Sequence, residues 1–415
     1  MTPAPGRVGD EGKRDGTRLR LARLAHGLSQ QDLATSAGVT RQAVAGVEAG
    51  QWYPSLRVAL ALGRALQQRV EDLFGPPSAL APIGAEPLGA SDGAAVQRVD
   101  LAQVGATTVA LPLAGNRGLR AGFAPAGGVV VGGTGGGAGG VVVGGTGGGA
   151  GGAVRSGTGA GATWAGRLGA GRSSWDVRPT GPLRPTLVVA GCDPALPLLA
   201  GPLSLLDPPL AFSWWPCSSR DALELAAAGL VHVAGFHVAR GSAAGPTAVA
   251  APGLASQGGE VIGFTVWDEG LAVRRGLGLP DLAGIAERRL RLVNREPGSE
   301  ARELLEREMA RHRLAPDQLP GFDTAAGGHL LVAAALAAGL GDVGVTTAPS
   351  ALAYGLDFLP LASEQFLLAL PRPVLDTSEV RGLLRVLASA GLQEQLAALP
   401  GYREIQTCGE PVSSI

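Results

Sequence analysis

The 415-residue sequence predicts a multidomain fold: an all-α helix-turn-helix bundle, then a glycine-rich β segment, then an α/β body. Three patterns support this prediction. Apolar residues recur at helical spacing near the start, a twelve-residue segment is repeated without change at 127–150, and strand-like and helix-like runs alternate after residue 185. At about 100–200 residues per domain, three parts fit the length. We place them at 17–75, 76–184 and 185–403.

The first part carries the signals of two short helices joined by a tight turn. Ser29 precedes an apolar-periodic run, and Asp32 follows three positions later, so hydroxyl and carboxylate can cap the free amides of a helix start. Gly38 supplies the positive φ that lets the chain turn without a Cβ clash. Thr40 then caps a second helix. The pattern predicts a helix-turn-helix.

The first exposed side chains of that second helix are Arg41 and Gln42, whose groups can make paired hydrogen bonds to guanine and adenine in the major groove. The alternative is that both are merely solvated. Glu48, near the end of the same helix, is expected to tie that helix to its neighbours, because a carboxylate is poorly placed for DNA.

Residues 17–75 resemble the Cro and phage-repressor-like helix-turn-helix family, also called the xenobiotic-response-element type. The resemblance implies that Gln30 positions the bundle on phosphate and that Thr40, Arg41 and Gln42 specify bases. Residues 1–75 hold ten Lys and Arg against seven Asp and Glu, a modest excess, so we expect a homodimer on a double-stranded DNA operator. The matching residues are Arg20, Leu24, 27–30, Leu33, Ala34, Gly38, Val39, 47–50, Pro54, Leu60, Leu73 and Phe74.

The middle part, 76–184, is predicted to be a small β module or a structured linker. Its repeat reads Gly-Gly-Val-Val-Val-Gly-Gly-Thr-Gly-Gly-Gly-Ala at 127–138 and again at 139–150. Ordering so many glycines is entropically unfavourable, and no helix follows as a phosphate-binding loop would require. A flexible insertion is therefore favoured over a nucleotide site, with pairing of the Val triplets as small strands left open.

The body alternates short apolar runs with helical patterns. Strands separated by helices predict a mostly parallel, helix-covered sheet, and two such sheets joined by chain crossings would account for the length. The predicted strands are 186–190, 212–215, 231–235, 261–266, 290–294, 343–346 and 367–370, and the predicted helices are 196–205, 221–228, 282–287, 299–313 and 330–338.

The segments 191–194, 235–237, 294–302, 341–344 and 355–361, with His329, occur in this order along the body. Over residues 185–402 they resemble the periplasmic-binding-protein-like domain of bacterial molybdate- and tungstate-related regulators and molybdopterin modules. The resemblance implies a bilobed α/β fold of type II, with a ligand in the cleft between the lobes. The most specific segment is 294–302, which contains Ser299. Many members of the family carry Gly-Thr-Arg after this serine, whereas this chain has Glu-Ala-Arg at 300–302.

Several residues of the body suit an oxyanion. Ser299 opens a helix whose N-terminus offers free amides, and Arg302 could grip an anion or pair with Glu306. Serines before helices can equally be plain caps, and Asp193 can cap or bind a ligand hydroxyl. The resemblance and these residue types together predict a molybdate- or tungstate-like oxyanion, or a related cofactor metabolite. The predicted contacts are Asp193, Ser218, Ser219, Arg295, Gly298, Ser299, Arg302 and His329.

Other classes of protein lack their sequence signals. No long uninterrupted apolar stretch or N-terminal signal segment is present, so a cytoplasmic protein is expected. Catalytic and nucleotide-binding motifs are missing, which predicts neither an enzyme nor a cofactor. No metal is predicted, because no pair among His237, His329, Cys192 and Asp193 has a ligand spacing such as i and i+4.

The favoured function is a transcriptional regulator whose clamshell senses a small anionic ligand. Two alternatives stay open at this stage. The body could be a ligand-blind interaction or assembly module, or the chain could be a molybdenum-cofactor accessory or carrier protein whose head merely autoregulates.

Overall fold

The computed structural model describes residues 10–74, 80–88, 98–113, 126–134, 174–241, 245–254, 258–278 and 281–414. The chain divides into two compact units, Met1–Leu80 and Ala81–Ile415. The boundaries expected at 76 and 185 are finer than this division and stay predictions.

The first unit is an all-α bundle, as the sequence predicts. Its core is made by apolar side chains spaced at helical intervals, among them Leu19, Leu33, Val44 and Leu62, all fully buried. The helices are α1 (Asp10–Ala25), α2 (Gln30–Ala37), α3 (Arg41–Glu48), α4 (Leu56–Ala65) and α5 (Val70–Phe74).

The second unit begins with a small closed barrel in the order β1-β3-β2-β4-β5. The first copy of the glycine-rich repeat supplies β4, and the second copy lies outside the described residues. Side chains such as Val104 and Leu111 share a core with the strands that follow, and Ser213 donates to Asp100 at 3.1 Å. The strands are β1 (Ile83–Pro87), β2 (Arg98–Val104), β3 (Thr107–Pro112), β4 (Gly128–Thr134) and β5 (Ser174–Pro179).

The remainder is built on one mixed sheet in the order β11-β10-β12-β9-β13-β8-β6-β7, with β14 beside β9. The expectation of two separate sheets is wrong, because β9 and β13 are each fifteen residues long and pair with strands on both sides. The strands are β6 (Thr186–Ala190), β7 (Ala211–Trp215), β8 (Val233–Ala239), β9 (Gly259–Val273), β10 (Leu292–Arg295), β11 (Ala325–Ala326), β12 (Val343–Thr347), β13 (Asp357–Pro371) and β14 (Pro411–Ser414).

Helices cover this sheet, and several of them were not predicted from the sequence. The α-helices are α6 (Ala200–Ser204), α7 (Ser219–Ala227), α8 (Pro246–Leu254), α9 (Leu282–Glu287), α10 (Glu300–Arg311), α11 (His329–Ala337), α12 (Ala348–Ala353), α13 (Ser378–Leu387) and α14 (Ala390–Ala398), and the short 3-10 turns are Leu196–Leu199, Pro316–Gln318, Arg372–Val374 and Ile405–Thr407.

The sheet carries two lobes with separate cores. The first lobe packs α6, α7 and α13 on β6–β8, and the second packs α9–α12 on β10 and β12. Both long strands pass from one lobe to the other near Gly270, where β13 has a register shift between Pro360 and Ala362. A Cβ on Gly270 would collide with the carbonyl oxygen of Leu359, so this close crossing requires glycine.

Candidate functional sites

The turn of the helix-turn-helix forms as its residue types dictate. The Oγ of Ser29 accepts a hydrogen bond from the Asp32 amide at 3.1 Å, and the Asp32 carboxylate accepts one from the Ser29 amide at 2.9 Å. These bonds hold the pKa of Asp32 below its usual value. Gly38 has φ 63°, in the left-handed region. The predicted capping box and glycine turn are confirmed.

The first turn of α3 presents polar side chains to solvent. Thr40 caps the helix by accepting from the Ala43 amide at 3.1 Å, and Thr40, Arg41 and Gln42 are all exposed. Gln30 is half-buried, and its Nε2 donates to Glu48 at 2.9 Å. The side chains expected to contact bases are therefore accessible, while the amide expected at phosphate is held by a neighbour.

A buried ion pair fixes the orientation of α3 in the bundle. Arg23 of α1 donates from Nε and Nη2 to the two oxygens of Glu48, at 2.6 and 3.1 Å, and from Nη1 to the Leu28 carbonyl at 2.7 Å. Burial raises the pKa of Glu48, but the Arg23 guanidinium and the Gln30 amide lower it by more than burial raises it. The pKa of Glu48 is therefore below its usual value. Glu48 ties α3 to α1 and α2, as predicted.

A cavity of about 740 Å³ lies between the two lobes of the second unit. The first lobe lines it with α7, α8 and β8, the second lobe with α10, and the crossing strands with one glutamate each. Five carboxylates therefore face two guanidinium groups and one imidazole. Among the predicted ligand residues, Ser219 lines this cavity. The charged and polar lining is Ser219, Arg220, Glu224, His237, Glu269, Glu300, Glu303, Arg307 and Glu364.

His237, Glu269 and Glu364 form a buried cluster on three adjacent strands. One donor atom from each side chain lies within 4.8 Å of the other two. The His237 ring places Nδ1 3.1 Å from Glu364 and Nε2 3.8 Å from Glu300. Burial lowers the pKa of His237, but hydrogen bonds to Cys192 and Glu364 outweigh it and raise this pKa above its usual value.

Glu269 is the exceptional member of this cluster. It is 1% exposed, and its Oε1 has no hydrogen-bond partner among the described residues. Burial raises its pKa to about 7, against the attraction of His237. A buried carboxylate oxygen without a donor is unfavourable, and buried polar atoms are normally satisfied. Glu269 therefore offers an unused acceptor at the wall of the cavity.

Three predicted ligand residues of the second lobe lie at the end of β10 and in the first turns of α10 and α11. Arg295 is buried and pairs through Nε and Nη2 with Glu296, at 2.8 and 2.7 Å, while Nη1 contacts the His329 ring at 2.9 Å. Burial, Arg295 and His237 hold the pKa of His329 well below its usual value, so the ring is neutral. Arg302 pairs with Glu306 at 2.9 Å, the alternative noted from the sequence. The polar groups of all three side chains are therefore bonded to other side chains of the protein.

Three of the remaining predicted residues, Ser218, Ser299 and Asp193, also have hydrogen-bond partners within the fold. Ser218 and Ser299 cap α7 and α10, accepting from amides three residues on at 3.1 and 3.4 Å. Gly298 turns the chain before α10 with φ 84°. Asp193 is fully buried and accepts from Tyr402, Thr265, Trp267 and the Ala195 amide.

Glu269 and Glu364 were missed from the sequence. Each lies in a short polar stretch, Asp-Glu-Gly or Ser-Glu-Gln, within a long and otherwise mostly apolar strand, and that interruption is the signal that could have found them. No fixed spacing relates them to His237, since the sheet pairing alone brings them together.

The comparisons with known proteins agree with this architecture. A helix-turn-helix family matches residues 19–73, and the PBP superfamily domain matches residues 200–388. A helix-turn-helix transcriptional regulator of Archaeoglobus fulgidus is 41% identical over 58 residues, which are 14% of this chain and 83% of that protein. The chain therefore belongs to the helix-turn-helix transcriptional regulators of the Cro-like type and carries a periplasmic-binding-protein-like domain after its DNA-binding head.

Two solved structures are also similar to parts of the chain. The restriction-modification controller protein C.AhdI of Aeromonas hydrophila is 46% identical, covering 16% of this chain and 97% of its own, with a TM-score of 0.15. A phosphate ABC transporter substrate-binding protein of Clostridium perfringens is 12% identical, covering 51% and 96%, with a TM-score of 0.39. None of the helices in the described part of the chain has the length and apolar character needed to cross a bilayer.

Proposed function

We propose that the protein is a cytoplasmic, ligand-responsive transcriptional regulator. The head binds an operator, and a small ligand binds in the cavity between the lobes. One observation carries the proposal: the lining of this cavity combines charged side chains of both lobes with Glu269 and Glu364 on the strands that cross between them. We propose that the lobes close on the ligand, which in this position would contact both lobes and the strands that cross between them.

Ligand-dependent regulation then follows from linkage. A ligand that makes more contacts in the closed state shifts the equilibrium toward closure, and only this difference in affinity is available to change DNA binding. The close crossing at Gly270 and the register shift in β13 lie one residue from Glu269, and we propose that the lobes hinge there.

On the DNA side, we propose that Thr40, Arg41 and Gln42 specify bases. We also propose that the Gln30 amide leaves Glu48 and contacts a phosphate when DNA binds. We also propose a homodimer, because a head with so small a basic excess gains affinity by binding twice. In support, Leu56 and Leu60 lie one turn apart on α4 and are 74% and 42% exposed, a stripe that a second copy can cover.

For the charge of the ligand, the structure favours a revision of the oxyanion expected from the sequence. Five carboxylates face two guanidinium groups and one imidazole in the cavity, so acidic groups are in excess, and Arg295, the strongest cationic candidate from the sequence, does not line the cavity and pairs with Glu296. An anion would be repelled by this lining, whereas a cation would complete it. We therefore propose a positively charged ligand in place of molybdate, tungstate or a related anionic metabolite.

Calorimetric titration of the full chain with molybdate, tungstate, phosphate, divalent metal ions and aliphatic diamines tests this assignment. We expect saturable binding of a cation that weakens when Glu300→Gln removes one carboxylate. Tight molybdate binding insensitive to that substitution would contradict the charge assignment. Silence across the whole panel would favour a ligand-blind assembly module, and molybdenum cofactor retained through purification would favour a carrier.

A further inference from the structure

The cluster at the wall of the cavity has the composition of a metal site. It combines one imidazole and two carboxylates, all at least nine-tenths buried, with donor atoms within 4.8 Å of one another. We propose that His237, Glu269 and Glu364 bind a divalent transition-metal ion, such as Zn²⁺ or Mn²⁺, and that this ion is the cation sensed by the regulator. The proposal rests on the function proposed above.

The first support is the pairing of the strands, which brings the three side chains together although they are far apart in the sequence. Glu364 of β13 lies opposite Trp267 of β9, two residues from Glu269, and His237 of β8 lies opposite Phe366, two residues from Glu364. Side chains two residues apart on a strand point to the same face. The central strands therefore present all three groups on one side of the sheet.

The second support is the missing partner of Glu269. Its buried Oε1 accepts no hydrogen bond from any described residue, although it lies on the wall of a charged cavity. Buried carboxylates are normally paired or coordinate metal ions. An ion bound to this oxygen would satisfy it and would neutralise the repulsion between Glu269 and Glu364.

The third support is the chemistry of the ligand set. Mixed imidazole and carboxylate ligands suit Zn²⁺, Mn²⁺ and Fe²⁺, whereas Ca²⁺ and Mg²⁺ prefer oxygen alone. Three protein ligands leave a position open toward the cavity. Glu300 of the second lobe, 32% exposed and 3.8 Å from the His237 ring, is placed to reach that position. Ion binding would then join a second-lobe helix to first-lobe and crossing strands.

The test uses the full chain, stripped with a chelator and dialysed, and titrated with Zn²⁺ or Mn²⁺ in competition with an indicator. We expect one ion per chain, an affinity at least tenfold weaker in Glu269→Gln and in Glu364→Gln, and an affinity within twofold of wild type in Glu308→Gln. Glu308 lies on α10, pairs with Arg311 and is not among the residues that line the cavity, so it is the matched control for charge.

Circular dichroism and metal-free unfolding of each variant separate loss of the site from loss of the fold. Co²⁺ substitution adds an independent readout, because a thiolate-to-cobalt band would assign the metal to Cys192, which lies beside His237, and would overturn the ligand set. No saturable binding, or equal affinities in wild type and both glutamine variants, would also overturn the proposal.

The same samples are tested for DNA binding, so that the two proposals can fail separately. Metal binding without any change in operator affinity would leave the site intact and contradict its sensory role. Loss of metal binding together with a response to an organic cation would overturn the metal site and leave the ligand-responsive regulator in place.

Discussion

Two buried clusters of charge, one in each unit, differ in how completely their atoms are used. In the head, Arg23 and Glu48 pair through two hydrogen bonds, and Leu28 and Gln30 supply further partners. In the second unit, Glu269 keeps an oxygen with no partner among the described residues, next to a second buried carboxylate.

The difference separates a structural role from a binding role. A buried pair whose hydrogen bonds are complete holds helices in register, and removing one partner leaves an uncompensated charge. Where a buried cluster lies at a cavity and one of its atoms has no partner in the fold, a bound ligand can supply that partner. Changes in the head cluster should therefore destabilise the protein, whereas neutralising Glu269 should stabilise the free protein and abolish its response.

The largest effect is expected in the head. Arg23→Met leaves the buried Glu48 carboxylate with the Gln30 amide but without its guanidinium partner, so we expect the head to lose about 3–5 kcal/mol of unfolding free energy. Hydrogen exchange of residues 17–74 in the full chain measures this loss. The double variant Arg23→Met/Glu48→Met should recover most of it, and unchanged exchange in the single variant would show that the pair does not hold the bundle.

The neutral, buried imidazole of His232 provides a contrast to these two charged clusters. His232 accepts from the Val188 amide at 3.1 Å, and burial lowers its pKa to about 4. Between the unfolded pKa near 6.5 and about 4, only the unfolded chain binds this proton, so stability falls as the pH falls, by about 3 kcal/mol in all.

Urea unfolding across this pH range tests that slope. The variant His232→Asn keeps an acceptor near the Val188 amide but does not titrate. We expect a flatter pH dependence in the variant, and equal slopes would assign the acid sensitivity to other groups.

On the surface of the head, Arg41→Ala should weaken operator binding by about 1–3 kcal/mol and relax discrimination at one base position. Arg64→Ala, which removes an exposed arginine from α4, is the matched control and should leave discrimination unchanged. Anisotropy titrations with a set of single-base operator variants measure both. Identical base preferences for wild type and Arg41→Ala would remove Arg41 from the reading surface.

The smallest expected effect has the opposite sign. Glu269→Gln removes a buried charge that lacks a full set of partners, and the new amide can donate, so we expect the metal-free protein to gain about 1 kcal/mol. Thermal unfolding without metal measures this change, with Glu303→Gln as the control. A clear loss of stability would mean that the Glu269 charge supports the fold itself.

The sequence predicted what depends on local chemistry. The capping pair of Ser29 and Asp32, the turn at Gly38, and the helix Leu282–Glu287 follow from residue types at fixed spacing, and the structure has each of them. Binary pattern and caps act over a few residues, so a single sequence contains them.

The candidate site depended on long-range pairing, which a single sequence does not contain. The long strands β9 and β13 were predicted only as short segments, so the crossing between lobes and its two glutamates were not found. Predicted ligand residues such as Ser299 and Arg302 had the right types for an anion, but partners a turn away use their polar groups.

The central claim is that occupancy of the cavity changes the affinity of the head for DNA. Footprint titration of the full chain on the DNA beside its own gene, with and without Zn²⁺ or Mn²⁺, tests it most directly. We expect the midpoint to shift by at least about fivefold with the ion and not to shift in Glu364→Gln. Equal midpoints at full occupancy of the cavity would contradict the account.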